Sequence, residues 1–101
     1  MFLSEFSVQS VIENPNTWPR DLLAAKWILG EMKKGALFAE DDNIQEYTEY
    51  CWEDEKGEFS LKQIRETLIR NSIQLEFCGD WYWFFPVEDA LTYKVPDFLR
   101  Y

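Results

Sequence analysis

The sequence predicts an α+β fold: two or three helices packed on a small, mainly antiparallel sheet with a C-terminal β-hairpin. Three observations carry that expectation. Leu22, Ala25, Leu29 and Met32 recur at helical spacing between Pro19 and Lys34. Ser60 and Gln63 stand at capping-box spacing around the start of a second apolar stripe, Leu61, Ile64 and Leu68. Ile73, Leu75 and Phe77 alternate with Gln74 and Glu76, and a Gly79-Asp80 turn leads into the aromatic run Trp81 to Phe85.

A chain of 101 residues is expected to form a single domain, 1–101, with one modest core. Aromatic residues make up 18% of it, which argues against disorder. The formal charge of −9 disfavours non-specific contact with nucleic acid or anionic membranes and favours a basic partner. Cys51 and Cys78 form neither a CxxC nor a finger spacing. Reduced thiols are the plain reading, and one disulfide is the alternative. The opening MFLSEFSVQS lacks the basic stretch and long apolar run of a signal peptide, and no run approaches membrane-spanning length. A soluble, cytoplasmic protein is expected.

In chain order, Phe6, Val8 and Ile12 fall on alternating positions and favour a strand within 1–13, while Phe2, Phe6 and Gln9 suit a helix. Asn14-Pro15-Asn16-Thr17 is turn chemistry. The helix from Pro19 opens on a residue whose missing N–H is not needed there, and Trp27 flanks its apolar stripe. Lys33 and Lys34 suit the negative end of its dipole, Gly35 suits the C′ position, and Gly30 suggests close packing. Ala36 to Ala39 reads as a short strand or a link. Glu40-Asp41-Asp42-Asn43 opens a helix to about Asp54, with Ile44, Tyr47 and Cys51 inward and Asp42, Glu46, Glu49 and Glu53 outward.

The next helix, to about Asn71, is expected to have a hydrophobic staple of Phe59 and Ile64 and an outer Glu66–Arg70 pair. A two-residue Gly79-Asp80 turn sets Cys78 opposite Trp81, Phe77 opposite Tyr82 and Leu75 opposite Phe84. One hairpin face then carries Ile73, Leu75, Phe77, Tyr82 and Phe84. The other carries Gln74, Glu76, Cys78, Trp81, Trp83 and Phe85. Leu91, Tyr93 and Val95 alternate as a third strand ended by Pro96, and 97–101 is a short tail.

The chain has no histidine, which excludes Ser-His-Asp, Cys-His and His-based metal sites within one copy. Its four glycines stand apart, so no phosphate-cradling loop is present. Asp41, Asn43 and Gln45 alternate as a calcium loop begins, but the central Gly and closing Glu are missing. Carboxylates for a glycosidase-type pair are plentiful, yet they crowd one exposed helix. No enzymatic activity, catalytic residue, metal or cofactor is expected.

Between Glu40 and Glu58 there are nine acidic residues and one base, a net of −8, against −1 for the remainder. Such a helix face either keeps a small protein soluble or mimics the charge row of a nucleic-acid strand and engages a basic surface. The Trp81, Trp83 and Phe85 face likewise has two readings, a second core or an exposed interface, the latter giving a homodimer rather than a monomer. Lys62, Arg65 and Arg70, on a helix followed by a hairpin, raise a third reading: a winged-helix-like nucleic-acid binder using the 61–71 helix and the 73–85 hairpin.

The run Ile73-Gln74-Leu75-Glu76-Phe77, Gly79-Asp80-Trp81-Tyr82-Trp83-Phe84 and Glu88-Asp89-Ala90-Leu91 resembles the end of bacterial domains of unknown function found among toxin-immunity proteins. The resemblance spans residues 59–95 and rests on generic hairpin signals. The final strand lacks the Gly and His usual in those domains. It implies an inhibitor or immunity protein. The function expected is therefore to bind and block a basic protein, such as a toxin nuclease or a defence enzyme. Asp42, Glu46, Glu49 and Glu53 would pair with its cations, and Tyr50 and Trp52 would anchor the contact.

Overall fold

The computed structural model describes residues 2–52, 60–77, 79–87, 90 and 92–100. Among these described residues are four α-helices and one three-stranded antiparallel sheet: α1 (Glu5–Glu13), α2 (Pro19–Lys33), β1 (Phe38–Glu40), α3 (Ile44–Trp52), α4 (Leu61–Arg70), β2 (Ile73–Phe77) and β3 (Asp80–Pro86). The α+β class holds, with one helix more than the sequence suggested.

That extra helix is α1, where alternation favoured a strand. Ser4 caps it, its side chain accepting from the Ser7 N–H at 3.1 Å. Val8 and Val11, one turn apart, are the residues it buries, whereas Phe6 is 82% exposed. The alternating pattern had counted a surface residue as core. A cap and an i, i+3 pair outweigh it.

In α2 the deepest stripe is Ala24, Ala25 and Ile28, with Trp27, Leu29 and Met32 packed at its margin. The helix ends as expected. Gly35 has φ +105°, its N–H donates to the Met32 carbonyl, and the Ala36 N–H donates to the Glu31 carbonyl. This is a Schellman closure, which needs a residue tolerant of positive φ. Gly30 does not mark close packing, because it faces open space.

β3 is the central strand, in the order β1-β3-β2. The third strand is therefore Phe38–Glu40, not Leu91–Val95. Leu91 lies outside the described residues, and Tyr93 to Pro96 run as irregular chain. The segment from Tyr93 serves the core differently: Val95 and Leu99 are buried, the latter in a 3₁₀ turn at Asp97–Leu99. The predicted tail is thus partly core.

The hairpin pairs Phe77 with Asp80, Leu75 with Tyr82 and Ile73 with Phe84. The loop is therefore Cys78-Gly79, with Gly79 at its second position and φ +87°, instead of Gly79-Asp80. Cys78 itself lies outside the described residues. The slip from the expected register is two positions, so each described side chain keeps its face.

Both sheet faces are covered around β1 and the C-terminal half of β3. Phe38, Ile73, Leu75 and Phe84 join α1 and α2 in one core. Ala39 and Phe85 join Ile64, Leu68 and Ala90 in a second, with Ile44 and Tyr47 packed against it. Adjacent residues, Phe38 with Ala39 and Phe84 with Phe85, thus serve opposite cores. That is why the aromatic strand reads as a continuous apolar run.

Candidate functional site

The acidic segment starts on the sheet and leaves it through a 3₁₀ turn, Asp41–Asn43, that runs directly into α3. Tyr47 stacks edge-on against Phe85 at 5.6 Å and against Phe2 at 6.1 Å, while Thr48 is buried and donates its hydroxyl to the Ile44 carbonyl. These contacts fix which side of α3 turns outward. Ile44 and Tyr47 lie inward as expected.

Asp42 and Glu46 are exposed, four residues apart at the start of α3. Glu49, Tyr50, Cys51 and Trp52 belong to the same helix, but their side chains lie outside the described residues, as does all of Glu53. The carboxyl of Asp41 is raised above its ordinary range by partial desolvation first and by the Asp42 charge second. Burial, and then the Glu46 carboxylate, raises the Tyr47 phenol. Negative charge at this end of α3 is dense enough to act on its own members.

α4 carries the capping box the sequence announced: the Ser60 side chain accepts from the Gln63 N–H at 3.2 Å, and Gln63 Oε1 accepts from the Ser60 N–H at 2.8 Å. The staple residue Phe59 lies outside the described residues. Ile64 and Leu68 are buried, but Leu61 is exposed. It stands at the first position of α4 and is not part of the second core. Lys62, Arg65 and Arg70 are all exposed. Among the described residues, Glu66 and Arg70 make no ion pair, in contrast to Lys34 with Glu31 at 3.2 Å and Arg100 with Asp97 at 3.3 Å.

The Trp81, Trp83 and Phe85 row does not act as one face. Phe85 is fully buried beneath α3 and α4 and is not available to a partner. Trp83 is half-buried, and Trp81 is 47% exposed. The two readings divide along the strand: core at Phe85, surface at Trp81.

A second polar feature escaped the sequence reading. The turn between α1 and α2 meets the tip of the hairpin around a cavity of about 130 Å³, lined by Asn14, Asn16, Thr17, Asp21, Glu76 and Gly79. Asp21 is only 2% exposed, and among the described residues its Oδ2 has no hydrogen-bond partner. Burial raises its carboxyl, Arg20 opposes that, and Glu76 adds to it. Asp21 and Glu76 are 55 positions apart in sequence, and first-turn acids are common at helix N-termini. Nothing in the sequence singled out this pair.

Among the described residues no group of three or more His, Cys, Asp or Glu side chains is placed to hold a metal ion, and no helix is long and apolar enough to cross a membrane. In comparisons with known proteins, no family model, curated protein or solved structure matches this chain.

Proposed function

We propose that this chain is a cytoplasmic protein-binding inhibitor of the immunity or anti-defence kind, which blocks a basic, nucleic-acid-handling protein through the surface of the 3₁₀ turn and α3. The observation that carries this reading is the concentration of charge. Nine of nineteen acidic residues fall within 40–58, and Asp42 and Glu46 stand exposed at the start of α3 while its apolar side is held against the second core. Carboxylates three and four positions apart on a helix lie about 5–6 Å from one another at Cβ, so Lys and Arg groups arrayed for a phosphate backbone can pair with several. Long-range attraction would speed encounter and make affinity fall with added salt.

The test is capture from host lysate with the wild-type chain and with a Glu46/Glu49/Glu53→Gln variant. A basic protein held by the wild type, lost with the variant and released by salt supports the reading. Equal capture by both makes the acids mere solubilisers.

A second reading draws on α4, whose exposed Lys62, Arg65 and Arg70 immediately precede the β2–β3 hairpin, the succession of a winged helix. Retention of duplex DNA in a gel, lost when these three residues are changed to Gln, would favour it over the inhibitor. A doubled mass in solution that reverts with Trp81→Ala would instead favour a homodimer formed through the exposed end of β3.

A further inference from the structure

The cavity between the α1–α2 turn and the hairpin tip is lined by two acidic residues, Asp21 and Glu76, together with Asn14, Asn16, Thr17 and Gly79. Asp21 Oδ2 is buried and unpartnered, and the Glu76 carboxylate shares the cavity with it. The Thr17 hydroxyl spends its proton on the Val11 carbonyl at 2.6 Å, so its lone pairs remain as acceptors. Asn14 Oδ1 accepts the Asn16 N–H at 3.0 Å, which pins the turn that forms one wall. Gly79, held at φ +87° at the hairpin tip, forms part of the wall without a side chain.

Two acidic side chains, one with an unpartnered buried oxygen, favour an occupant that brings positive charge and N–H donors. Its volume is well above the roughly 10–15 Å³ that a single water requires. Two carboxylates without a third ligating side chain are a poor cage for a divalent ion. They suit a planar, weakly hydrated cation with N–H groups on several edges.

We infer that Asp21 and Glu76, with Thr17 and Asn16, form a pocket for a guanidinium group, supplied by an arginine side chain of a partner or by a small free guanidino compound. Asp21 supplies the inner carboxylate, fixed by the first turn of α2. Glu76 supplies the outer one, from β2, the edge strand of the sheet. The pocket shares no residue with the α3 surface, so the two proposals stand or fall separately.

The experiment is a titration of the full chain at neutral pH and constant ionic strength, followed by amide chemical shifts and calorimetry. The probes are Nα-acetyl-arginine amide, Nα-acetyl-lysine amide, agmatine and calcium chloride. Saturable binding of the arginine probe, with shifts centred on Asn16, Thr17 and Gly79, is the expected result. Asp21→Asn and Glu76→Gln should each weaken it about tenfold or more, since each removes one charge-assisted contact. Glu76→Gln lies on the half-buried edge and keeps the test interpretable if the Asp21 variant folds poorly. Tighter binding of agmatine assigns the site to a free guanidino compound, and tighter binding of the arginine amide assigns it to a peptide side chain; both support the pocket. Equal response to the lysine probe, preference for calcium, or unchanged binding by Glu76→Gln overturns the proposal.

Discussion

The side-chain amide of Asn71 donates to the backbone carbonyl oxygen of Ala90 at 3.0 Å, a buried hydrogen bond between residues nineteen positions apart. It ties the C-terminal end of α4 to the chain that leaves β3. Ala90 belongs to the same core as Ile64 and Leu68 of α4, so the bond closes that core at its margin. Ser72 strengthens the same corner by donating its hydroxyl to the Leu68 carbonyl at 3.1 Å.

Asn71→Ala removes the donor and leaves a buried carbonyl without its partner. A loss of about 1–3 kcal/mol in unfolding free energy is expected. Urea denaturation with an unchanged slope but a lower midpoint would show it; a midpoint equal to wild type would mean that the bond contributes nothing.

The aromatic strand should behave as two halves. Phe85→Ala empties a fully buried site between the sheet and α3–α4 and should cost about 3–5 kcal/mol. Trp81→Ala, at the exposed end, should change stability by no more than about 0.5 kcal/mol. Thermal melts of the two variants side by side check this, and similar losses for both would contradict the division.

Tyr93 predicts alkaline behaviour. Burial first, then the charge of Glu31 and a hydrogen bond to it, push the phenol from its ordinary 10.0 up to about 12. The native state therefore holds this proton more tightly than the unfolded chain. Its contribution to stability is fully present below pH 10 and is lost as pH rises toward 12. Melts across this range should show a fall that Tyr93→Phe lacks, and the phenolate absorbance of the native protein should contain a late-titrating component that is lost in Tyr93→Phe.

Asp21 predicts the opposite kind of cost. Its carboxyl is raised chiefly by burial, so the native state favours the protonated form relative to the unfolded chain, and stability from this group declines as pH rises through the shifted value. Burying the charged form of this unpartnered carboxyl costs stability that burying its neutral form does not. In the absence of any cation, Asp21→Asn should raise stability by about 1 kcal/mol, which corresponds to about 4–8 °C in melting temperature. A lower melting temperature at neutral pH would show that the carboxylate is satisfied in solution.

Local chemistry was legible wherever a short run of residues settles its own geometry. The Ser60–Gln63 capping box, the Gly35 closure of α2 and the alternation of β2 need only neighbours in sequence, and each is present in the structure. The exposed acids at Asp42 and Glu46 were legible for the same reason: Ile44 and Tyr47 turn inward at helical spacing and leave them outside. Within 1–13 two periods competed, and Phe6 tipped the pattern toward a strand because a sequence does not show that this large apolar residue stays exposed.

The chain by itself determined the α+β class, the starts of α2 and α4, the hairpin, and the face assigned to each of its described side chains. That last point survived a two-residue register slip because strand faces repeat every two positions. Tertiary structure alone decided which segment became the third strand, since any short extended piece can pair with a free edge and only packing selected Phe38–Glu40 over Leu91–Val95. It also decided that Phe85 is core while Trp81 is surface, because α3 and α4 cover only one end of that face. The meeting of Asp21 with Glu76 likewise came from folding: two unremarkable acids share a cavity only once the α1–α2 turn is docked against the hairpin tip.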